Sequence, residues 1–154
     1  MRTAPAPEQP TGPARFDGVP FRTEWTASKT VMLTRGRYQE PAAPGSASQV
    51  VIVLSDKGAT GIVDGRETAA AVLTTSGGGS GTFFDLVLLV RRPAGWKHTD
   101  TAFLGDRVKV HSIMLAGKDI IVDLIEQGPG DPMCCPTLRR TKRYRVQDGR
   151  FNTQ

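Results

Sequence analysis

Short apolar runs, interrupted every few positions by turn-forming residues, dominate the chain from Phe21 onward. Runs in which apolar and polar residues alternate predict β-strands, and the continuously apolar run Phe83–Arg92 is typical of a strand covered on both faces. About nine such segments follow one another at close spacing, joined by hairpin-like turns. The pattern therefore predicts a mainly β fold with little helix, an antiparallel meander that forms a sandwich or a partly closed barrel.

Glycine and aspartate mark the predicted strand boundaries. A strand at Gln49–Leu54 is expected to turn at Asp56-Lys57-Gly58 and to continue as a short strand that ends at Asp64-Gly65. The following segment contains helix-favouring alanines, but Gly77–Gly81 interrupts it before three helical turns can form. We therefore predict strand, loop and strand there. Further turns are predicted at Arg35-Gly36, Gly105-Asp106 and Ala116-Gly117.

The chain has 154 residues, a length that fits one domain. Residues 1–20 are rich in proline and poor in apolar anchors, which predicts a disordered tail or spacer followed by a single β-rich domain over residues 21–154. No apolar run approaches the ~20 residues of a transmembrane helix. The first residues lack the apolar stretch of a signal peptide, so we expect either a cytoplasmic protein or one whose targeting segment has been removed.

The net charge of +5 is concentrated in one segment. Residues 138–150 contain six Lys or Arg and one acidic residue, so the rest of the chain balances at 14 basic and 14 acidic residues. Read as a strand, the segment places Arg139, Thr141, Arg143 and Arg145 on one face, opposite to Tyr144 and Val146. Charge on an edge strand prevents aggregation. The alternative is a polyanion-binding module through strand 139–145, with Arg139, Arg143 and Arg145 as ligands; the lack of stacking aromatics or a recognition helix argues against nucleic acid.

The sequence contains no catalytic or cofactor-binding motif. The glycine run Gly77–Gly81 is not followed by the Lys-Ser/Thr of a phosphate-binding loop, and it lacks the glycine spacing of a nucleophile elbow. His98 and His111 fall on separate predicted strands, and an enzyme would require a pocket in which one of them meets Asp106 or Asp123. We expect no cofactor and no enzymatic activity.

Cys134 and Cys135 are adjacent and flanked by Pro132 and Pro136, which restrict the backbone on both sides. The pair forms either a vicinal disulfide that clamps the loop or two reduced thiols, and an oxidising compartment favours the disulfide. The spacing does not suit structural zinc, whose paired cysteines are normally two to four residues apart. Together with Met133 the pair offers three consecutive sulfurs, so a redox or Cu(I)-handling protein is a second alternative.

Several segments resemble an uncharacterised family of bacterial secreted or lipoprotein-like domains often found beside META domains: GSGTFFDLVLLV, TAFLGDRVKVHSIMLAGKDIIVDLIEQGPGDPMCCPT and TKRYRV. The stretch FRTEW…LTRGRYQEP…GSAS resembles the N-terminal part of the same proteins. The match covers roughly residues 21–150, and DPMCCP is its most specific element. The resemblance implies an extracytoplasmic setting, secreted or periplasmic, in which the Pro-rich segment is a spacer from a signal or lipid anchor. It implies no known activity.

These observations lead to one functional expectation. We expect a non-enzymatic, extracytoplasmic binding or cell-envelope-associated domain, with the Cys134-Cys135 loop as a structural clamp near its interaction surface. Its partner is expected to be a protein or another envelope component, without a transmembrane segment in the chain itself.

Overall fold

The computed structural model describes residues 12–77, 79 and 81–153. These residues form one turn of 3₁₀ helix at Gly12–Ala14 and eleven strands, and every strand pairing is antiparallel. The mainly β, antiparallel fold predicted from the sequence is confirmed. The strands are β1 (Phe21–Arg22), β2 (Thr30–Val31), β3 (Arg37–Pro41), β4 (Gln49–Val63), β5 (Arg66–Ser76), β6 (Thr82–Arg92), β7 (Gly95–Asp106), β8 (Lys109–Ala116), β9 (Asp119–Glu126), β10 (Leu138–Gln147) and β11 (Arg150–Thr153).

Two main sheets share a hydrophobic core. The larger has the order β3-β4-β5-β6-β7 and the smaller the order β11-β10-β9-β8. Leu86 and Leu88 of β6 pack in this core against Ile120, Val122 and Leu124 of β9. The second half of β4 lies beside β8, and β11 lies beside β7, so both edges of the smaller sheet approach the curled larger sheet.

A second core covers the opposite face of the larger sheet. Here Val87 and Leu89 of β6 pack with Phe21 and Val31 of the small sheet β1-β2 and with Phe16 of the preceding segment. Strand β6 is therefore buried on both faces, because its alternate residues enter two different cores. This explains its continuously apolar sequence and confirms the sequence interpretation.

The packed part of the chain begins earlier than residue 21. The side chains of Phe16 and Val19 belong to the second core, although the sequence placed them in the tail. Two isolated apolar residues among prolines and glycines do not form a periodic pattern that predicts a strand or a helix. Phe16 and Val19 are buried because they cover a face of the larger sheet. The rest of the expected tail, residues 1–11, lies outside the described residues.

The sequence predicted a turn at Asp56-Lys57-Gly58, but strand β4 does not turn there. It continues to Val63 with a register shift between Leu54 and Gly58, which is a β-bulge that keeps β4 paired with β5. A Cβ at Gly58 would lie 2.9 Å from the Ala70 carbonyl oxygen, so glycine serves close strand approach here and not chain reversal. The turns predicted at Arg35-Gly36 and Asp64-Gly65 are present.

Candidate ligand-binding cleft

A cleft of about 630 Å³ opens on the outer face of the larger sheet. Its floor is formed by β5, β6 and β7, and one wall is the connection between β1 and β2, residues 23–29. The connection is positioned by hydrogen bonds across its base, where the Thr23 amide donates to the Lys29 carbonyl and the Lys29 amide to the Thr26 carbonyl. This short connection carries Trp25 onto the sheet.

Three aromatic side chains lie at one end of the cleft. Trp25 stacks on Phe83 with ring centroids 4.2 Å apart and planes 7° from parallel. Phe103 is tilted against both rings, at 6.0 Å from Trp25 and 6.4 Å from Phe83, and remains 53% exposed. We call these three residues the aromatic cluster. Its members come from a loop, β6 and β7, and the sheet register brings the last two together.

The carboxylate of Asp85 lies beside the aromatic cluster. Asp85 pairs with Phe103 across β6 and β7, and its Oδ2 accepts a 2.8 Å hydrogen bond from Trp25 Nε1. Burial raises the pKa of this carboxyl above its usual range, and the negative charge of Glu24 acts in the same direction, while the indole hydrogen bond opposes them. Oδ1 receives no hydrogen bond from any other described residue.

His98 lies towards the other end of the cleft and is held by three contacts. Its Nδ1 accepts from the Arg22 backbone N–H at 3.1 Å, so the ring proton lies on Nε2, which is 3.0 Å from the Asp100 carbonyl and 2.7 Å from Thr101 Oγ1. Burial lowers the pKa of the imidazole. The ring also packs against Phe21. His98 thus joins β1 to the larger sheet as a neutral, structurally occupied side chain.

The histidine and carboxylate pairings considered for an enzyme are not formed by hydrogen bonds in the described structure. Asp106 accepts from the Thr82 amide at 2.8 Å, and Asp123 forms an ion pair with Arg139 at 2.7 Å. The hydrogen bond from Arg139 is the main cause that lowers the pKa of Asp123, and the exposed side chain of His111 acts in the same direction.

Cys134 and Cys135 are joined by a disulfide. Both residues are exposed in the loop between β9 and β10, and a turn closes through the hydrogen bond from the Cys135 amide to the Pro132 carbonyl. Asp131 holds the base of the loop by accepting 2.8 Å hydrogen bonds from the Gly128 amide, the Thr137 amide and the Thr137 hydroxyl. These bonds lower the pKa of Asp131, that of Gly128 most of all.

The sequence left open whether Cys134 and Cys135 form a disulfide or remain reduced thiols, and the structure contains the disulfide. Met133 is 67% exposed next to the bonded pair. Cu(I) binding by Met133, Cys134 and Cys135 would require reduction first, because the thiolates are consumed by the S–S bond. Within the described ranges, no group of three or more His, Cys, Asp or Glu side chains is arranged to hold a metal ion.

The basic strand β10 alternates as predicted, with Tyr144 and Val146 buried and the arginines outward. Carboxylates of the neighbouring strand β9 lie opposite these arginines. Arg139 forms an ion pair with Asp123, and Asp119 forms ion pairs with both Arg143, at 3.0 Å, and Arg145, at 3.2 Å. Hydrogen bonds from Arg145 and Arg143 lower the pKa of Asp119. The three proposed polyanion ligands therefore have internal counter-charges.

Sequence reasoning missed the cleft because its parts are distant along the chain. Trp25 lies in a connection without periodicity, and Phe83 and Phe103 resemble ordinary strand residues. One signal was available: Asp85 is the single charged residue between Phe83 and Val90 in a strand predicted to be covered on both faces. A carboxylate in such a strand is costly to bury unless a hydrogen bond, a counter-charge or a ligand stabilises it.

None of the described residues forms a helix with the length and apolar character needed to cross a bilayer. Comparison with protein-family models, curated proteins and solved structures finds no match to this chain.

Proposed function

We propose that this protein is an extracytoplasmic binding domain whose ligand occupies the cleft beside the aromatic cluster. The observation that carries the proposal is the exposed face of Phe103 next to Trp25, Phe83 and the half-buried Asp85. Ligand sites are typically concave and apolar, with a few polar groups that fix orientation. The cleft has this composition, and burial of the exposed aromatic surface would provide the main favourable free energy.

Binding fits the titratable groups of the cleft better than catalysis does. Both ring nitrogens of His98 are engaged by neighbouring protein groups. Asp100 accepts from the Phe151 amide at 2.7 Å and from the Thr101 amide at 2.9 Å. Asp85, which has one oxygen available, is the carboxylate we assign to ligand contact.

The extracytoplasmic location is supported by the Cys134–Cys135 disulfide. Disulfides persist in secreted and periplasmic proteins and are reduced in the cytosol. Both cysteines are exposed, so a cytosolic reductant would reach them without unfolding the domain. The proposal places the protein where such a bond survives.

The strand order leads us to propose that the disulfide loop and the aromatic cluster lie towards the same end of the domain. Strand β7 ends at Asp106 and β8 begins at Lys109, which pairs with Ile125 one residue before β9 ends. The loop follows directly. We propose that the clamp fixes the shape of this end of the domain.

The test is an NMR screen of ¹⁵N-labelled protein against fragments from four classes: neutral sugars, aromatic compounds, organic cations and carboxylates. We expect at least one class to shift the Trp25 indole N–H signal and the amides of Leu73, Thr75 and Val87, which line the cleft. The variant Phe103→Ala should lose most of the effect, and its fold should persist because the side chain is half exposed. Shifts that map elsewhere, or no shifts from any class, would refute the proposed site.

A further inference from the structure

We infer that the ligand carries an ammonium group, protonated or quaternary, which binds between the aromatic cluster and the Asp85 carboxylate. This inference rests on the proposed function and specifies the chemical class of the ligand. It uses the charges of the cleft in addition to its shape.

The aromatic cluster offers a surface that attracts cations. The faces of aromatic rings carry partial negative charge and attract cations placed within about 6 Å of the ring centroid, and Trp is the strongest of the three side chains that do so. One face of Trp25 is covered by Phe83, whereas Phe103 inclines at 50° to Trp25 and stays exposed. Two inclined rings with open surface form part of a cage for an alkylammonium group.

Asp85 places a carboxylate beside the aromatic cluster. Its carboxylate has no cationic partner among the described side chains, since its one hydrogen bond comes from the neutral indole of Trp25. A half-buried carboxylate without a counter-charge is costly, and a ligand cation would remove that cost. The free oxygen, Oδ1, can accept a hydrogen bond from a protonated amine.

The other charged groups of the cleft are consistent with a cation at this end. The Glu24 carboxylate adds negative potential at Asp85. The Lys29 ammonium group, which donates to the Glu24 backbone carbonyl at 3.1 Å, offsets one of these two negative charges and leaves a net negative charge at this end. Arg22 and Arg150 belong to the opposite end, near His98 and Asp100. Asp100 pairs with Leu88, three residues beyond Asp85 along β6, so that end lies ~10 Å away.

The experiment compares choline with 3,3-dimethyl-1-butanol, its uncharged isostere, by calorimetry and by the Trp25 indole N–H shift. The two probes have the same shape and differ in charge. We expect choline to bind at least about tenfold more tightly to the wild-type protein, as a cation–π contact combined with a carboxylate implies. In Asp85→Asn the difference should shrink by about threefold or more, because the carboxylate is lost and only the cation–π contact remains.

Two variants separate charge from structure. In Asp85→Asn the amide oxygen can still accept from the Trp25 indole, and removal of a carboxylate whose pKa is raised by burial should leave the Tm at neutral pH unchanged or higher. In Phe103→Leu the apolar surface is kept but the ring is lost. We expect this variant to weaken choline about threefold or more and to leave the neutral isostere nearly unchanged.

The outcomes are distinguishable from a failure of the proposed function. Equal affinity for choline and its isostere, or tighter binding of carboxylates or sugars in this cleft, would overturn the ammonium inference and leave a binding cleft in place. Absence of binding by every fragment class at the Trp25 indole would overturn both. A large fall in Tm for Asp85→Asn would assign Asp85 a structural role and count against the inference.

Discussion

At the scale of single residues, the absence of a side chain at Gly36 allows the N-terminal segment to pack closely beside it. Its φ of 74° is in the left-handed region, and a Cβ there would lie 2.5 Å from the Pro13 carbonyl oxygen. Gly45 has nearly the same φ, 75°, but its Cβ would meet nothing within 4 Å. The two glycines therefore share a backbone requirement and differ in their surroundings.

We predict that Gly45→Ala lowers the free energy of unfolding by about 1 to 2 kcal/mol, the cost of the left-handed backbone alone. Gly36→Ala should cost clearly more, because the segment around Pro13 must also move. Urea denaturation of both variants measures the difference. Equal losses would show that the contact with Pro13 contributes nothing.

Asp131 should make the disulfide loop sensitive to acid. Hydrogen bonds lower its folded-state pKa, so their stabilising contribution is complete above the unfolded pKa of about 3.9 and is lost as the pH falls through the lower folded value. We predict that the Gly128 and Thr137 amide signals shift together below pH 4 and that Asp131→Asn abolishes this titration. A midpoint above 4 would contradict the assignment of these bonds.

At the scale of elements, the sequence identified the strands more reliably than their partners. Alternation predicted β10 with its arginines outward, but the carboxylates that neutralise them are on β9 and become neighbours only through the register Arg139 with Ile125 and Arg143 with Ile121. The bulge in β4 was misjudged because Asp and Gly favour turns, whereas the bulge is visible only in the pairing of β4 with β5. Register and bulges depend on the partner strand, which a single sequence does not specify.

The segment before β1 is the element whose role was least visible. Phe16 is 4% exposed and meets Trp96 edge to face at 5.6 Å. We predict that Phe16→Ala lowers the free energy of unfolding by about 3 to 5 kcal/mol, as for other buried phenylalanines. Met32→Ala, at a site 57% exposed, is the control and should change it by about 0.5 kcal/mol or less. A small loss of unfolding free energy for Phe16→Ala would show that this segment belongs to the tail expected from the sequence.

At the scale of the whole molecule, stability rests on two hydrophobic cores and depends little on the disulfide. The Cys134–Cys135 bond closes a ring of two adjacent residues, for which loop-closure entropy gives only about 1 kcal/mol. We predict that reduction, or Cys134→Ser with Cys135→Ser, lowers the free energy of unfolding by about that amount and leaves the far-UV circular dichroism unchanged. Global unfolding on reduction would show that the bond is a structural staple of the entire fold.

The strand content and the antiparallel class were predictable because they follow from local periodicity, which the sequence displays directly. The cleft was not, because it arises where a loop residue, Trp25, meets two strand residues, Phe83 and Phe103, that lie about 20 positions apart. The disulfide could be listed as a possibility from adjacency alone, but the choice between bond and thiols required the structure.

Together, the two proposals place a ligand that carries an ammonium group in the cleft beside the aromatic cluster. The most direct measurement follows the two indole N–H signals in ¹⁵N-labelled protein during titration with choline, since Trp25 lines this cleft and Trp96 lines a separate cavity. We predict a saturable shift of the Trp25 signal, a stationary Trp96 signal, and a half-saturation concentration for choline that is higher in Asp85→Asn. A titration in which Trp25 stays unmoved, or in which both indoles shift equally, would contradict binding of an ammonium ligand in this cleft.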